Sequence, residues 1–212
     1  CGEFDIRNKN FEKAYSSQKY FNALLYGPDE IENYNSGKGK VLFDVGSHKG
    51  ESATFFSDIF PEIKIFSFEP NKTSFLEHKK LNLENNILNN IALSNFNGLS
   101  DFFEQDISHL SSLIKVNNES ESSLGYAATE QHKKIEVTVN TGDFYIKQTN
   151  INKIDLLKMD VQSNEVSTLQ GFSDSLSIIR NVMVEISLYD LYEISSSIGD
   201  VEELLSDFKL YD

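Results

Sequence analysis

The sequence predicts an α/β domain with a doubly wound, mainly parallel sheet, and three observations carry that expectation. Compact apolar runs alternate along the chain with segments of helical periodicity. The leading run, Val41–Val45, is compact and apolar and stops at Gly46, as suits a strand buried on both faces. The chain has 212 residues, of which 39% are hydrophobic and 25% charged, enough for a real core in one domain or in one domain with a helical cap.

The elements follow in order. Phe11, Tyr15, Phe21, Leu24 and Leu25 recur at helical spacing until Gly27-Pro28, and a second short helix over 29–34 completes an N-terminal helical cap, residues 1–39. After the turn Asn35–Gly39, the Val41–Val45 strand stops at Gly46. Residues 50–59 read as a helix closed by Pro61, and Ile63–Phe68 as a strand ending in Glu69-Pro70. A helix over 73–82 takes its N-cap from Asn71 or Thr73. Asn89–Ser94 reads as the third strand and Ser100–Phe103 as a short added one. Residues 104–134 are polar and aperiodic, a length of loop that a compact domain keeps for function or leaves disordered. Ile135–Val139 alternates as a half-exposed strand. Ile154–Met159 and Asn181–Val184 are further strands around a helix that begins at Glu165, and a last helix covers 201–208. There is no internal repeat.

Charge and composition exclude several classes. Nineteen Lys and Arg against thirty-three Asp and Glu give a net charge of −14, which a duplex or an anionic bilayer would repel, so neither nucleic acid nor membrane is an expected partner. A single cysteine, Cys1, excludes an internal disulfide framework and fits a reducing compartment. No apolar run is long enough to cross a membrane, and no signal peptide opens the chain, so a cytoplasmic protein is expected. Oligomeric state is not legible.

Acids collect at the strand ends. The Val41 strand carries Asp44, and the next three core strands end in Glu69, Asp160 and Glu185. Ligands of open parallel sheets bind at the carboxyl ends of the strands, so four carboxylates are expected around one crevice. Carboxylates repel phosphate, and only Lys49, Lys72 and Lys158 lie close in sequence. Ribose hydroxyls, an amino group and a positive sulfur suit such a rim better, and S-adenosylmethionine carries all three without phosphate. Gly46 and Gly50 flank the strand-to-helix turn, where backbone must approach a ligand closely. Ser47 and His48 stand between them, so the spacing is G-x-x-x-G rather than the dinucleotide G-x-G-x-x-G. Glu69 is placed to bond ribose hydroxyls. His48, His78, His109 and His132 are scattered without metal-ligand spacing; no metal is expected, three are read as solvent-facing, and His48 is the reserve catalytic candidate. Tyr189 and Tyr192 are candidates for an acceptor pocket.

These segments resemble a known family. Val41-Leu42-Phe43-Asp44-Val45-Gly46-Ser47-His48-Lys49-Gly50 is similar to the FDVGANxG opening of FkbM-type S-adenosylmethionine-dependent methyltransferases, and Phe68-Glu69-Pro70 to their FEP. Asn90–Ser94 resembles N-x-A-L-S, Thr141-Gly142-Asp143 the T-L-D after the variable loop, and Asp155–Glu165 the D-x-x-K-I-D-V-E-G-x-E signature. Leu169-Gln170-Gly171 and Val184-Glu185-Ile186 follow in order. The resemblance covers roughly residues 40–210 and implies a class I, Rossmann-like methyltransferase domain over 40–212. It implies methyl transfer to a hydroxyl of a sugar, glycan or secondary metabolite, so the expected partner is a small-molecule or glycan acceptor. By it Asp44, Gly46 and Gly50 match the loop around the methionine moiety, and Ser47 between the two glycines is a further cofactor-binding candidate. Glu69 takes the ribose, Asn90 falls by the adenine, and Asp160 stands closest to the transferred methyl. Asp160 and Glu185 are the candidate bases. Gln162-Ser163 departs from the family's Glu-Gly. The closing antiparallel hairpin of such sheets is missing, which implies continuation past Asp212. A nicotinamide-dependent oxidoreductase, disfavoured by the glycine spacing, and a non-catalytic nucleoside-binding module are the alternatives.

Overall fold

The computed structural model describes residues 37–105, 111–115, 132–186 and 196–209. The expected helical cap, apart from the turn at residues 37–39, lies outside them, as do His109, Tyr189 and Tyr192. Five strands form one wholly parallel sheet: β1 (Val41–Val45), β2 (Lys64–Phe68), β3 (Asn86–Asn89), β7 (Leu156–Met159) and β8 (Val182–Val184), in the order β3-β2-β1-β7-β8. The chain winds outward from β1 through β3 and then returns to the other side of β1. The doubly wound sheet is therefore as the sequence predicts, and its switch point falls between β1 and β7.

Helices α1 (Glu51–Ile59), α2 (Lys72–Lys80), α3 (Gly142–Thr149), α4 (Glu165–Gln170) and α5 (Ile198–Leu204) connect or flank these strands. Asn71 is the N-cap of α2: its side chain accepts from the N–H groups of Thr73 and Ser74. Thr141 caps α3 in the same way through Phe144.

Strand periodicity divides the core. Phe43, Val45, Phe66, Phe68, Leu157 and Met159 face one side, where they pack with Tyr145 of α3 and with Phe172. Phe68 and Tyr145 meet edge to face with ring centroids 4.8 Å apart. Leu42, Ile65 and Leu156 face the other side, against Ala53, Phe56 and Phe60.

Three expectations are corrected. The strand expected over Asn89–Ser94 is two strands: β3 ends at Asn89, and β4 (Ala92–Leu93) belongs to a second, three-stranded sheet with β6 (His132–Asn140) and β5 (Gly98–Gln105). The short strand at Ser100 is therefore part of an eight-residue β5, antiparallel to β6. Helix α3 was not foreseen, because Gly142 and four β-branched or aromatic residues weaken its propensity and the Thr141 cap and burial of Tyr145 and Ile146 supply what propensity lacks.

Candidate active site

Each strand of the parallel sheet delivers its following turn to one edge. Gly46 leaves β1 with φ +76°, and its N–H, like that of Ser47, donates to the Phe68 carbonyl at the end of β2. A Cβ on Gly46 would lie 1.8 Å from the Asp160 carbonyl oxygen, so only glycine lets the β1 and β7 turns meet. The cleft above this junction is lined by Gly46, Ser47, His48, Glu51, Phe68, Glu69, Ala92, Leu93, Phe102, Ser111, Leu113, Lys158, Asp160, Val161 and Gln162, among others.

Glu69 is buried at the cleft wall. Its Oε2 accepts from the His48 N–H and its Oε1 from the Asn71 N–H, both at 2.7 Å, so one carboxyl group ties the β1–α1 turn to the β2–α2 turn. Burial pushes its carboxyl up to about 7, against the pull of those two hydrogen bonds. Each oxygen still has a lone pair for a further donor.

Asp160 follows β7 and lines the cleft; its Oδ1 accepts from Gln162 Nε2 at 2.7 Å. Gln162 and Ser163 are consecutive left-handed residues, φ +53° and +73°, where the family pattern has Glu-Gly. Buried Ser112 braces this turn by donating to the Gln162 carbonyl at 2.6 Å, while Ile114 N–H donates to Ser112 Oγ. Ser111 and Leu113, on either side of Ser112, line the cleft.

The other expected residues are placed differently. Asp44 is wholly buried beneath the cleft rather than in its lining, because residue 44 is inside β1 on the α1 side; its Oδ1 lies 3.1 Å from Lys158 Nζ. Glu185 follows the edge strand β8, is exposed, and is outside the lining, although the charge of Asp160, then partial burial, raises its pKa. The sequence brought four acids to one sheet edge; the structure puts Glu69 and Asp160 in the cleft and the other two around it. Asn90 is also outside the lining, and its amide donates to the carbonyls of Glu69 and Pro70, holding the β2 turn.

His78 corrects the solvent-facing reading. It is buried, Asn86 Nδ2 approaches its Nε2 at 2.8 Å, and its Nδ1 lies 3.1 Å from Ser47 Oγ. Burial lowers its pKa, so a neutral ring braces the Gly46–Gly50 turn from beneath. Lone histidines in a polar helix give no sequence signal for such a role. Lys158 and Ser112 were missed for a similar reason: a lysine inside a strand and a serine in an aperiodic loop look solvated.

Chemically, Glu69 offers acceptors to hydroxyl groups, Asp160 and its neighbours favour cationic groups, and Phe68, Ala92, Leu93, Phe102 and Leu113 offer apolar surface to a flat ring. Lys158 is the only Lys or Arg in the described lining, and it is already paired with Asp44, so the described residues offer no phosphate cradle. No group of three or more His, Cys, Asp or Glu among the described residues could hold a metal ion. No helix among them is long and apolar enough to cross a membrane.

The family model of the methyltransferase FkbM domain matches residues 44–210. The chain is 26% identical over 181 residues to the 2-O-methyltransferase NoeI of Sinorhizobium fredii, covering 80% of this chain and 72% of that protein. It is 29% identical over 170 residues to the hexuronic acid methyltransferase AglP of Haloferax volcanii, covering 80% and 63%. Among solved structures it is similar to the plantazolicin methyltransferase BpumL in complex with SAH, at a TM-score of 0.43 and 12% identity, covering 96% of this chain and 65% of that one.

Proposed function

The chain belongs to the FkbM methyltransferase family, and from that premise we propose that it transfers the methyl group of S-adenosylmethionine to a hydroxyl of a sugar or glycan. The observation that carries the reading is the switch-point cleft, where Glu69 and Asp160 share one lining with apolar surface and, among the described residues, no phosphate cradle. That lining fits S-adenosylmethionine. Glu69 would hold the ribose hydroxyls, the Gly46–Gly50 turn would follow the methionine moiety, and the apolar wall would take the adenine. The name of one relative, a hexuronic acid methyltransferase, supports a sugar as acceptor, and that of the other, a 2-O-methyltransferase, supports an oxygen as the methylated atom.

When bound, S-adenosylmethionine supplies an electrophilic methyl on a sulfonium. An acceptor oxygen held against it would bond to that methyl carbon as the carbon–sulfur bond gave its electron pair to sulfur. The hydroxyl proton must leave in the same step. Asp160 is the proposed proton acceptor, because it lines the cleft and Gln162 occupies only its Oδ1. Glu185 acts from outside, as a second negative charge.

The test has two stages. Thermal melting with S-adenosylmethionine, S-adenosylhomocysteine and NAD should show stabilisation by the first two, about 2.7 kcal/mol at 100 times the dissociation constant. Stabilisation by NAD alone would overturn the cofactor. Single-turnover methylation of a sugar acceptor should then fall roughly 10²–10⁴-fold in Asp160→Asn, with S-adenosylhomocysteine affinity little changed. A wild-type rate in that variant moves the base to Glu185 or His48. Binding without turnover on any hydroxylated acceptor favours an interaction module.

A further inference from the structure

The ring of His78, buried in α2, meets the glycine turn at both of its ends. Its Nδ1 lies 3.1 Å from Ser47 Oγ. A Cβ on Gly50, whose φ is +92°, would lie 2.5 Å from His78 Cδ2 and 2.8 Å from Nε2, so glycine there leaves room for the ring. On the other side, Nε2 faces Asn86 Nδ2 at 2.8 Å, at the start of the edge strand β3. Side chains from three elements thus form one relay, Asn86 to His78 to Ser47, and it ends at a residue that lines the cleft. The methyl transfer proposed above uses neither Asn86 nor His78.

We infer that Asn86 and His78 are positioning residues that set the direction of the Ser47 hydroxyl, so that it donates into the cleft to the carboxylate at the amino-acid end of S-adenosylmethionine. The inference rests on the cofactor reading for its ligand, whereas the direction of the relay is a property of the free protein.

That direction follows from which groups are able to donate. An amide NH2 only donates, so Asn86 Nδ2 makes Nε2 of the ring an acceptor. A neutral imidazole whose Nε2 accepts carries its proton on Nδ1, and that N–H donates to Ser47 Oγ. Burial lowers the His78 pKa against the charges of Asp44 and Glu51, which keeps the ring neutral. The reversed amide would put an NH2 with two protons where Asn86 Oδ1 stands without a partner, and buried donors are left unpaired less often than carbonyl oxygens. The backbone of Ser47 is already engaged: its N–H donates to the Phe68 carbonyl and its carbonyl accepts from Gly50 N–H. With Oγ accepting from His78, the hydroxyl proton is what Ser47 has left to give. The lining otherwise presents Glu51, Glu69 and Asp160, and its lysine is paired with Asp44, so a carboxylate in the cleft needs a neutral donor.

The first measurement is nitrogen-15 NMR of the His78 imidazole in the ligand-free protein, which tells a protonated ring nitrogen from an unprotonated one. It should show the Nδ1–H tautomer alone, and Asn86→Ala should turn it into a mixture of tautomers. The second is calorimetry with S-adenosylhomocysteine and with methylthioadenosine, which keeps the nucleoside and the sulfur but lacks the carboxylate. Ser47→Ala should weaken S-adenosylhomocysteine at least about tenfold, and Asn86→Ala by a smaller factor. Methylthioadenosine affinity should stay within about twofold in both variants, since it makes no such hydrogen bond. An Nε2–H tautomer in the wild type overturns the inference, whether or not the variants fold. Equal weakening of both ligands overturns it too, because that is what a merely loosened turn would give. A wild type that binds neither ligand overturns the cofactor reading instead, and the tautomer still decides the direction of the relay.

Discussion

Glu69 carries two loads with one carboxyl group, since both oxygens already hold backbone N–H groups and both are proposed to accept ribose hydroxyls. Its pKa, raised from 4.5 to about 7 by burial, fixes the sign of two pH effects. A carboxyl raised on folding stabilises the protein fully below 4.5 and loses that contribution as pH rises through 7, here about 3 kcal/mol in all. Ligand binding runs the other way, because hydroxyl donors favour the ionised form. Affinity for S-adenosylhomocysteine should therefore rise from pH 6 to 8 while the stability of the free protein falls. Glu69→Gln should flatten both slopes and weaken binding at least about tenfold at pH 8. Calorimetry and denaturant melts across that range check it, and a slope that survives in the variant assigns the titration to another group. Ser163 presents a simpler case. Its φ of +73° is one that glycine adopts without penalty, so Ser163→Gly should raise stability by up to about 1 kcal/mol in chemical denaturation. A loss would mean that Ser163 contributes more through its buried side chain than it costs in backbone strain.

At the scale of elements, the cleft is held together by turns that bond to one another over long sequence distances. Ser112 joins the segment after β5 to the turn after β7, accepting from Ile114 N–H and donating to the Gln162 carbonyl. Ser112→Ala removes a buried hydroxyl and leaves those groups without it, a loss of about 1–3 kcal/mol. The Ile114 amide should exchange with solvent much faster in the variant, together with Phe103, whose N–H donates to the Ser112 carbonyl. Unchanged exchange at both would show that the brace contributes nothing. This clasp also marks the limit of what the sequence discloses. The core strands of the parallel sheet were legible because compact, mainly apolar runs such as Val41–Val45 and Ile63–Phe68 have few other uses, and Gly46 and Glu69 were legible because turns and strand ends carry ligands. The second sheet was legible only in part: strands were expected at Ser100–Phe103 and Ile135–Val139, but not their pairing into a separate sheet. Strand β5 contains Gly98, Asp101 and Glu104 and is largely exposed toward its start, so its full length shows neither apolar run nor clean alternation. The depth of Asp44 was equally hidden: strand parity gives a side, but not whether helix α1 covers that side.

For the whole molecule the governing quantity is charge. The chain carries −14, and the described lining adds Glu51, Glu69 and Asp160 against a lysine already paired with Asp44. Such a field attracts the sulfonium and amino groups of S-adenosylmethionine and opposes an anionic acceptor. One relative is named for hexuronic acid, whose carboxylate this cleft would repel. A neutral sugar hydroxyl is therefore the acceptor to expect here. A pair of like charges 4 Å apart in water costs about 1 kcal/mol, and more where the surroundings are less polar. At low ionic strength kcat/KM for a neutral glycoside should thus exceed that for the matching uronate at least about fivefold, mainly through KM. Salt offers the control. The Debye length shrinks from about 30 Å at 0.01 M to about 8 Å at 0.15 M, so the discrimination should narrow over that range if it arises from the field of the whole chain. Discrimination that is independent of salt would instead locate it in contacts inside the cleft. A uronate preferred at low salt would reverse the assignment, and would require a cationic group over the acceptor that outweighs Glu51, Glu69 and Asp160 together.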